Sequence, residues 1–345
     1  MSEADPVSRA ITLLAERRDL PASLSSQAFA QVMAGEASPV QTAALLVALR
    51  VKGESAAELE GAVLALRAAM VRVTAGAPET LVDTCGTGGG AVGTFNISTA
   101  AAFVAAGAGA RVVKHGNRSF TSRSGSADVL EALGVAIELE AARAAAVLER
   151  CGMTFLFAPR FHPAMRHAGP VRRELGLTTI MNLVGPLSNP AGAARQLVGA
   201  ADPARARLLA DTLCLLGAQR ALVVHAGIGM DEVAPPGAGA TEVHQVEGGR
   251  VKTWAPDPEG FGLAAGGVAE LAGGSPEDNA RIVAAILEGR DRSVRRSAVV
   301  INAAAALVAA GLCDEWEAAV ARANGALDSG AAAGVLERLR TATRG

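Results

Sequence analysis

Tyrosine is absent from this 345-residue chain, and aromatic residues of all kinds make up only 3% of it. Proteins that hold single-stranded nucleic acid without sequence preference stack its bases on exposed rings, so a chain this poor in rings is no stacking platform. The four cysteines, Cys85, Cys151, Cys214 and Cys313, form no CxxC pair, and none lies near a histidine at zinc-like spacing. They read as reduced thiols. A large charge of either sign is missing too: the formal net charge is −2, which gives no global attraction to polyanions. The opening Met1-Ser2-Glu3-Ala4-Asp5-Pro6 is acidic and has no apolar signal core. The longest apolar run, near Ser297–Cys313, is Ala-rich, contains Asn302 and is shorter than a bilayer requires. The expectation is a cytoplasmic protein with neither a membrane nor a nucleic acid as partner.

One further absence is local. From Gly86 to Ala127 there is no Asp or Glu, while the same stretch carries Arg111, Lys114, Arg118 and Arg123. It opens with Asp83-Thr84-Cys85-Gly86-Thr87-Gly88-Gly89-Gly90, continues through Thr94-Phe95-Asn96-Ile97-Ser98-Thr99, and reaches Lys114-His115-Gly116-Asn117-Arg118-Ser119. Glycine exposes backbone N–H groups, and cations follow close by. That chemistry suits a multiply charged anion such as phosphate.

What is present is apolar residue in quantity: half the chain, enough for a sizeable core. The first seventy or so residues read as helical, with starts at Ser38-Pro39 and at Ser55 before Ala56–Met70. Ala75–Glu79 reads as a linker. Strands and helices then alternate. Leu81–Thr84, Arg111–Lys114, Val135–Leu139, Met153–Phe157, Gln196–Gly199 and Ala221–Val224 read as strands, and Ser98–Ala106, Ser126–Leu133, Ala141–Cys151 and Ala204–Leu216 as helices. This rhythm implies an α/β fold with a mainly parallel central sheet, whose ligands sit at the carboxyl ends of its strands. Thr241–Trp254 reads as a small antiparallel excursion, and helices return from Ser275 onward.

Several motifs compete with plainer explanations. Gly88–Gly93 fits GxGxxG, but the ribose-binding acid expected about twenty residues later is missing, since Val112, Val113 and Lys114 stand there. No Gly-Lys-Ser/Thr closes a P-loop either. On its own the glycine run is a tight strand-to-helix turn, and Asn96–Thr99 a helix cap. Together with the Lys114 loop they form an anion site. Asp231-Glu232, after Gly227-Ile228-Gly229, suits a hard divalent cation, and magnesium follows because a polyphosphate substrate brings its own metal. His162-Pro163-Ala164-Met165 opens a helix reaching Gly176. Arg172 and Arg173 there are about 100° apart, so one can face a cleft and clamp a carboxylate while the other is solvated.

These segments, with SGSADVLEALG, HPAMRHAGPVRRELG and NLVGPLSNPAG in the same order, resemble the anthranilate phosphoribosyltransferase family across nearly the whole chain. The resemblance implies a small all-helical domain of residues 1–75, with about 166–190 packed on it. It implies a larger α/β domain of the nucleoside phosphorylase and phosphoribosyltransferase kind, formed by 76–165 and 191–345. The active site would lie in the cleft between them, and helical domains would pair in a homodimer. Phosphoribosyl pyrophosphate would bind Gly86, Gly89, Gly90 (by its backbone), Thr94, Asn96, Ile97, Ser98, Thr99, Lys114, His115, Gly116, Asn117, Arg118, Ser119, Phe120, Thr121, Ser122 and Ser126. Ser98, Asp231 and Glu232 would hold magnesium directly or through water, and anthranilate would meet Gly86, Asn117 and Arg172. Lys114 and Arg172 would carry the catalysis, by stabilising the leaving group and orienting the acceptor. Two positions depart from the pattern. Gly90 stands where the loop normally ends in Asp, and Ile228 where an acid is expected. A pyrimidine nucleoside phosphorylase and a non-catalytic nucleic-acid-binding relative are the alternatives.

Overall fold

The computed structural model describes residues 5–119 and 123–344. Four helices come first: α1 (Pro6–Ala15), α2 (Ala22–Ala34), α3 (Pro39–Lys52) and α4 (Ala56–Ala69). Both expected starts are capping boxes. Ser38 accepts from the Gln41 N–H and Gln41 from the Ser38 N–H; Ser55 and Glu58 repeat the exchange. Glu58 does more than cap. Fully buried, its carboxylate also accepts from Leu20 N (2.9 Å) and pairs with Lys52 (3.0 Å). A buried carboxylate is tolerated only when so completely partnered. Here it ties the start of α4 to the chain entering α2.

The α/β part follows as β1 (Leu81–Gly86), α5 (Ile97–Gly107), β2 (Arg111–Gly116), α6 (Ser126–Ala132), α7 (Ala141–Cys151) and β3 (Met153–Phe157). Next come α8 (Ala158–Phe161), α9 (Met165–Leu175), α10 (Met181–Val184), β4 (Arg195–Gly199), α11 (Pro203–Leu215) and β5 (Arg220–Ala226). The hairpin β6 (Thr241–Glu247) and β7 (Arg250–Trp254) turns at Gly248-Gly249, both at positive φ, which matches the expected antiparallel excursion. Helices α12 (Pro276–Leu287), α13 (Val294–Ala309), α14 (Trp316–Asp328) and α15 (Ala331–Arg344) complete the described chain. Val135–Leu139, expected as a strand, is irregular. Its apolar side chains Val135, Ile137 and Leu139 are buried, and Ala136 gives its N–H to the Thr343 hydroxyl rather than to a strand. Alternating burial signals a half-buried extended segment; it does not supply a neighbouring strand.

The seven strands form one sheet in the order β3-β2-β1-β4-β5-β6-β7. The first five run parallel, β6 pairs antiparallel with β5, and β7 antiparallel with β6. Strand order therefore reverses direction between β1 and β4, the place where such sheets leave a crevice at their carboxyl edge. Side-chain alternation assigns the faces. Leu197, Leu222, Val224 and Val243 join a core with α5, α7 and α12–α15. Their neighbours Val198, Ala221, Val223 and Val246 join a second core with α11, the α1–α4 bundle, Ala168 and Ile180–Val184. The helical bundle thus has no isolated core of its own; it shares one with a sheet face through α11.

Candidate active site

The carboxyl edge around β1 and β4 collects the glycine loop, the start of α5 and the acidic pair. Asp231 is packed against the ends of both strands: a Cβ on Gly86 would stand 2.5 Å from Asp231 Oδ2, and one on Gly199 would overlap the Asp231 carbonyl. Glycine is required at both positions by this approach. Asp231 Oδ2 accepts from Gly88 N (3.0 Å), and Thr87 N donates to Gly199 O (2.9 Å). The loop continues with Gly88 and Gly89 at positive φ. Gly90 closes against the turn at 227–230, and a Cβ there would stand 2.6 Å from Gly229 O.

At the start of α5 the N-cap residue Asn96 makes no side-chain cap. Its amide is used elsewhere: Nδ2 donates to Ser124 O (3.2 Å), and Oδ1 accepts from the buried Asn279 of α12 (2.9 Å). In the first turn Ile97 N donates to Phe95 O (2.6 Å) and Thr99 N to Asn96 O (3.1 Å), which leaves the N–H of half-buried Ser98 and the positive dipole end for an anion. Lys114 is not a loop cation but a buried residue of β2, 1% exposed. Its ammonium donates to Thr84 O (2.5 Å) and Ser98 Oγ (3.4 Å). Burial lowers its pKa, opposed by the charge of Asp83. Asp83 is itself fully buried and accepts from His115 N (3.1 Å); burial raises its pKa to about 6.

The acidic pair is held from two sides. Thr94 Oγ1 donates to Glu232 Oε1 (3.4 Å), while Asn302 of α13 accepts from Val233 N (2.9 Å) and donates to Val233 O (2.8 Å). Burial raises the pKa of both acids, Glu232 well above the usual range, where the Asp231 charge adds to the effect. Glu232 Oε2 is buried and has no hydrogen-bond partner among the described residues. No set of three His, Cys, Asp or Glu side chains converges among them either. Two carboxylates with an orphaned oxygen fit a cation whose remaining ligands come from substrate and water.

The remaining expected residues are distributed more widely. His115 turns from the edge: its Nε2 lies 3.2 Å from Nε2 of His162, and both rings are buried. Gly116 passes so close to Ser126 Oγ and the Phe155 ring that no side chain fits. Asn117 accepts from Arg118 N (2.8 Å), and its carbonyl receives Ala127 N (3.2 Å) and Ser126 Oγ (3.4 Å). Ser119 N donates to Asp128 (3.2 Å). The Arg118 guanidinium lies over the Phe157 ring, paired with Asp128 (3.0 Å) and Glu131, so its charge is already answered. Arg111, at the opposite end of β2, pairs with Glu149. The acid-free stretch of sequence is therefore not acid-free in space. Phe120, Thr121 and Ser122 lie outside the described residues. On α9, Arg173 is exposed and Arg172 half-buried, as the helical spacing allows. Burial lowers the Arg172 pKa, and among the described residues no group accepts a hydrogen bond from its guanidinium. Sequence reasoning missed Asp83, Asn279, the His115–His162 contact and the Asn302 clamp. Only Asp83 and Asn302, polar residues inside apolar runs, left a signal.

This fold and edge define a two-part glycosyl-transfer protein. Residues 8–70 match the helical bundle domain of the glycosyl transferase family and residues 78–333 its a/b domain. The chain is 51% identical, over 93% of its length and 92% of the relative's, to an anthranilate phosphoribosyltransferase of Rubrobacter xylanophilus. It is 48% identical to one from Roseiflexus sp. over 99% of both chains. The crystal structure of the Thermus thermophilus enzyme superposes with a TM-score of 0.92 at 41% identity, over 99% of this chain and 100% of that one. The Saccharomyces cerevisiae enzyme, in complex with phosphoribosyl pyrophosphate and magnesium, gives 0.89 at 27% identity over 99% of both. The chain belongs to the anthranilate phosphoribosyltransferases.

The histidine contact makes a prediction about pH. Burial pushes His162 down to about 4 and His115 well below its usual range, so one ring donates and the other accepts with neither charged. A depressed histidine contributes stability that is full above about 6.5 and is lost as pH falls toward about 4. The raised Asp83 carboxyl works in the opposite sense, because its burial penalty eases below about pH 6. A difference measurement isolates the histidine. The thermal midpoint of the natural protein should exceed that of His162→Asn by several degrees near pH 7, and the gap should narrow between about pH 6.5 and 4. Parallel curves would count against the neutral pair.

Proposed function

We propose that this protein transfers the phosphoribosyl group of 5-phosphoribosyl 1-pyrophosphate to the amine of anthranilate, giving N-(5-phosphoribosyl)anthranilate and pyrophosphate in tryptophan biosynthesis. The uncapped start of α5, set beside the glycine loop with Lys114 at its first turn, carries this reading. Donor N–H groups there face the pyrophosphate, and the Lys114 ammonium offsets its charge as it leaves. The Arg172 guanidinium, without a partner among the described residues and partly stripped of water, takes the anthranilate carboxylate as a bidentate fork. Asn117 helps to orient the ring. The aromatic amine is neutral near pH 7, so its nitrogen attacks the anomeric carbon directly. The C–O bond to pyrophosphate breaks with its electron pair, and the amine proton passes to solvent. Holding the two substrates in line supplies much of the rate, since no strong base is needed.

Magnesium is the proposed cofactor, held by Asp231, Glu232 and Ser98 directly or through water. The unpartnered Glu232 oxygen and two carboxylates destabilised by burial support it. When bound, such an ion neutralises developing charge on the pyrophosphate. The proposed working bodies are 1–75 with about 166–190, and 76–165 with 191–345, the site lying between Arg172 on α9 and the sheet edge; separate family matches over residues 8–70 and 78–333 support such a division. A homodimer through the helical bundle is proposed from α3, where Val40 and Val51 are 79% and 72% exposed on one face. Among the described residues no helix is long and apolar enough to cross a membrane, and the four cysteines are free. Both facts accord with the proposed cytoplasmic site of action.

The direct test is loss of anthranilate fluorescence when the protein is mixed with phosphoribosyl pyrophosphate and magnesium; no loss would refute the reading. Arg172→Ala should raise the KM for anthranilate at least about 10-fold and leave that for the donor within about two-fold. Gly90→Asp should shift the magnesium optimum, both by adding a carboxylate and by displacing the Gly229 carbonyl it would crowd. An identical magnesium profile would show that position 90 is irrelevant to the metal. Replacing Val40 and Val51 by Glu should yield a monomer in sedimentation velocity runs at concentrations where the natural protein is dimeric.

A further inference from the structure

Neighbouring strands of a parallel sheet run about 4.8 Å apart and exchange evenly spaced backbone bonds. β2 does so with β3 from Val112–Met153 to Gly116–Phe157, and β1 with β4 from Val82–Arg195 to Gly86–Gly199. Between β1 and β2 the pairing is Leu81–Arg111 and Val82–Val112, and it goes no further. The backbone groups beyond that point are taken by side chains. His115 N donates to Asp83 Oδ1 (3.1 Å), Thr84 O accepts from Lys114 Nζ (2.5 Å), and Val113 O accepts from Asn189 Nδ2 (2.7 Å). Asp83 of β1 thus bonds the main chain of β2, while Lys114 of β2 bonds the main chain of β1. Over this stretch side-chain bonds thus stand in place of direct N–H···O=C bonds between the two strands.

The arrangement is costly as pure structure. Strands buried on both faces normally read as continuous apolar runs, and two charges in their midst carry a desolvation penalty. A pair of valines would zip the ladder closed at less expense. Closing it, however, would bring together the ends that bear the two loops. The glycine loop leaves β1 after Gly86, the loop of Asn117 leaves β2 after Gly116, and α5 starts nearby, its Ser98 hydroxyl receiving another bond from Lys114 (3.4 Å).

We propose that Asp83 is a positioning residue for the phosphoribosyl donor. Its exchange with Lys114 holds the carboxyl ends of β1 and β2 apart as a crevice of fixed width and keeps the Lys114 ammonium at the start of α5. Asp83 acts through Lys114 and the His115 backbone and does not itself meet the substrate. The proposal rests on the transferase reading above.

Three kinetic measurements and one of amide exchange, all on the full chain, test it. Asp83→Ala should raise the KM for phosphoribosyl pyrophosphate at least about 10-fold, with kcat and the KM for anthranilate within about two-fold. Asp83→Asn keeps an acceptor for the His115 N–H, and its donor KM should rise no more than about three-fold. In a Lys114→Met background the same Asp83→Ala change should move the donor KM less than about two-fold, because the partner is already gone. Equal losses with and without Lys114, or a proportional fall of kcat for both substrates tracking a lower thermal midpoint, would overturn the proposal. If Asp83→Ala does not fold, Asp83→Ser, too short to reach the His115 N–H, takes its place in the same cycle with and without Lys114. Amide exchange supplies a readout that does not depend on turnover: the His115 N–H should exchange at least about 10-fold faster in Asp83→Ala and near the natural rate in Asp83→Asn. Unchanged exchange in Asp83→Ala refutes the strand exchange itself. Faster His115 exchange in Asp83→Ala, found together with a natural protein that fails to consume anthranilate, refutes only the transferase reading.

Discussion

The approach of Asp231 to the ends of β1 and β4 is the contact on which the rest of the edge depends. It needs bare backbone at Gly86 and Gly199, since a single carbon at either would collide with it. In return Asp231 anchors the glycine loop through Gly88 and brings its neighbour Glu232 beside Thr94. Two loops from strands far apart in sequence thereby become one surface. The glycines are therefore fixed by what packs against them as much as by their own torsional freedom.

Around that contact the protein concentrates charge where a sheet ordinarily has none. Asp83, Lys114 and Glu232 are all buried, and each has its ionisation disfavoured by loss of water. Their mutual fields and bonds to Thr84, Ser98 and His115 offset part of that penalty. An anion with its own cation can offset the remainder, which is the physical sense in which the edge is prepared for a polyphosphate. Arg172 repeats the logic on the helical side: a half-buried cation whose guanidinium has no hydrogen-bond acceptor among the described residues.

Much of this was legible in the residues. Most strand and helix positions follow from periodicity, the Ser38 and Ser55 boxes from local chemistry, and the antiparallel excursion of Thr241–Trp254 from its alternation. The parts that were not legible join distant segments. Nothing near His115 announces His162, nothing near Asn96 announces Asn279, and the acids that answer Arg118 lie just past the acid-free stretch. Asn302 read only as a break in an apolar run, although it fixes Val233 and hence the acidic pair. Val135–Leu139 misled because alternation reports burial without reporting a partner strand. Lys114 was found by its motif but misplaced in its setting, since the boundary between strand and loop falls two residues beyond it.

The hairpin that ends the sheet has a consequence for solubility. A seven-stranded sheet offers two rows of main-chain groups on which another chain could build. At one side β3 is wholly buried. At the other, β7 carries Arg250 and Lys252 outward, and its last residue, Trp254, is held edge-on against Trp316, which stacks on Phe261. The reversal of direction at β6 thus ends the growth of the sheet at a charged, pinned border. A second copy approaching along β7 would meet charged side chains there rather than a bare apolar edge.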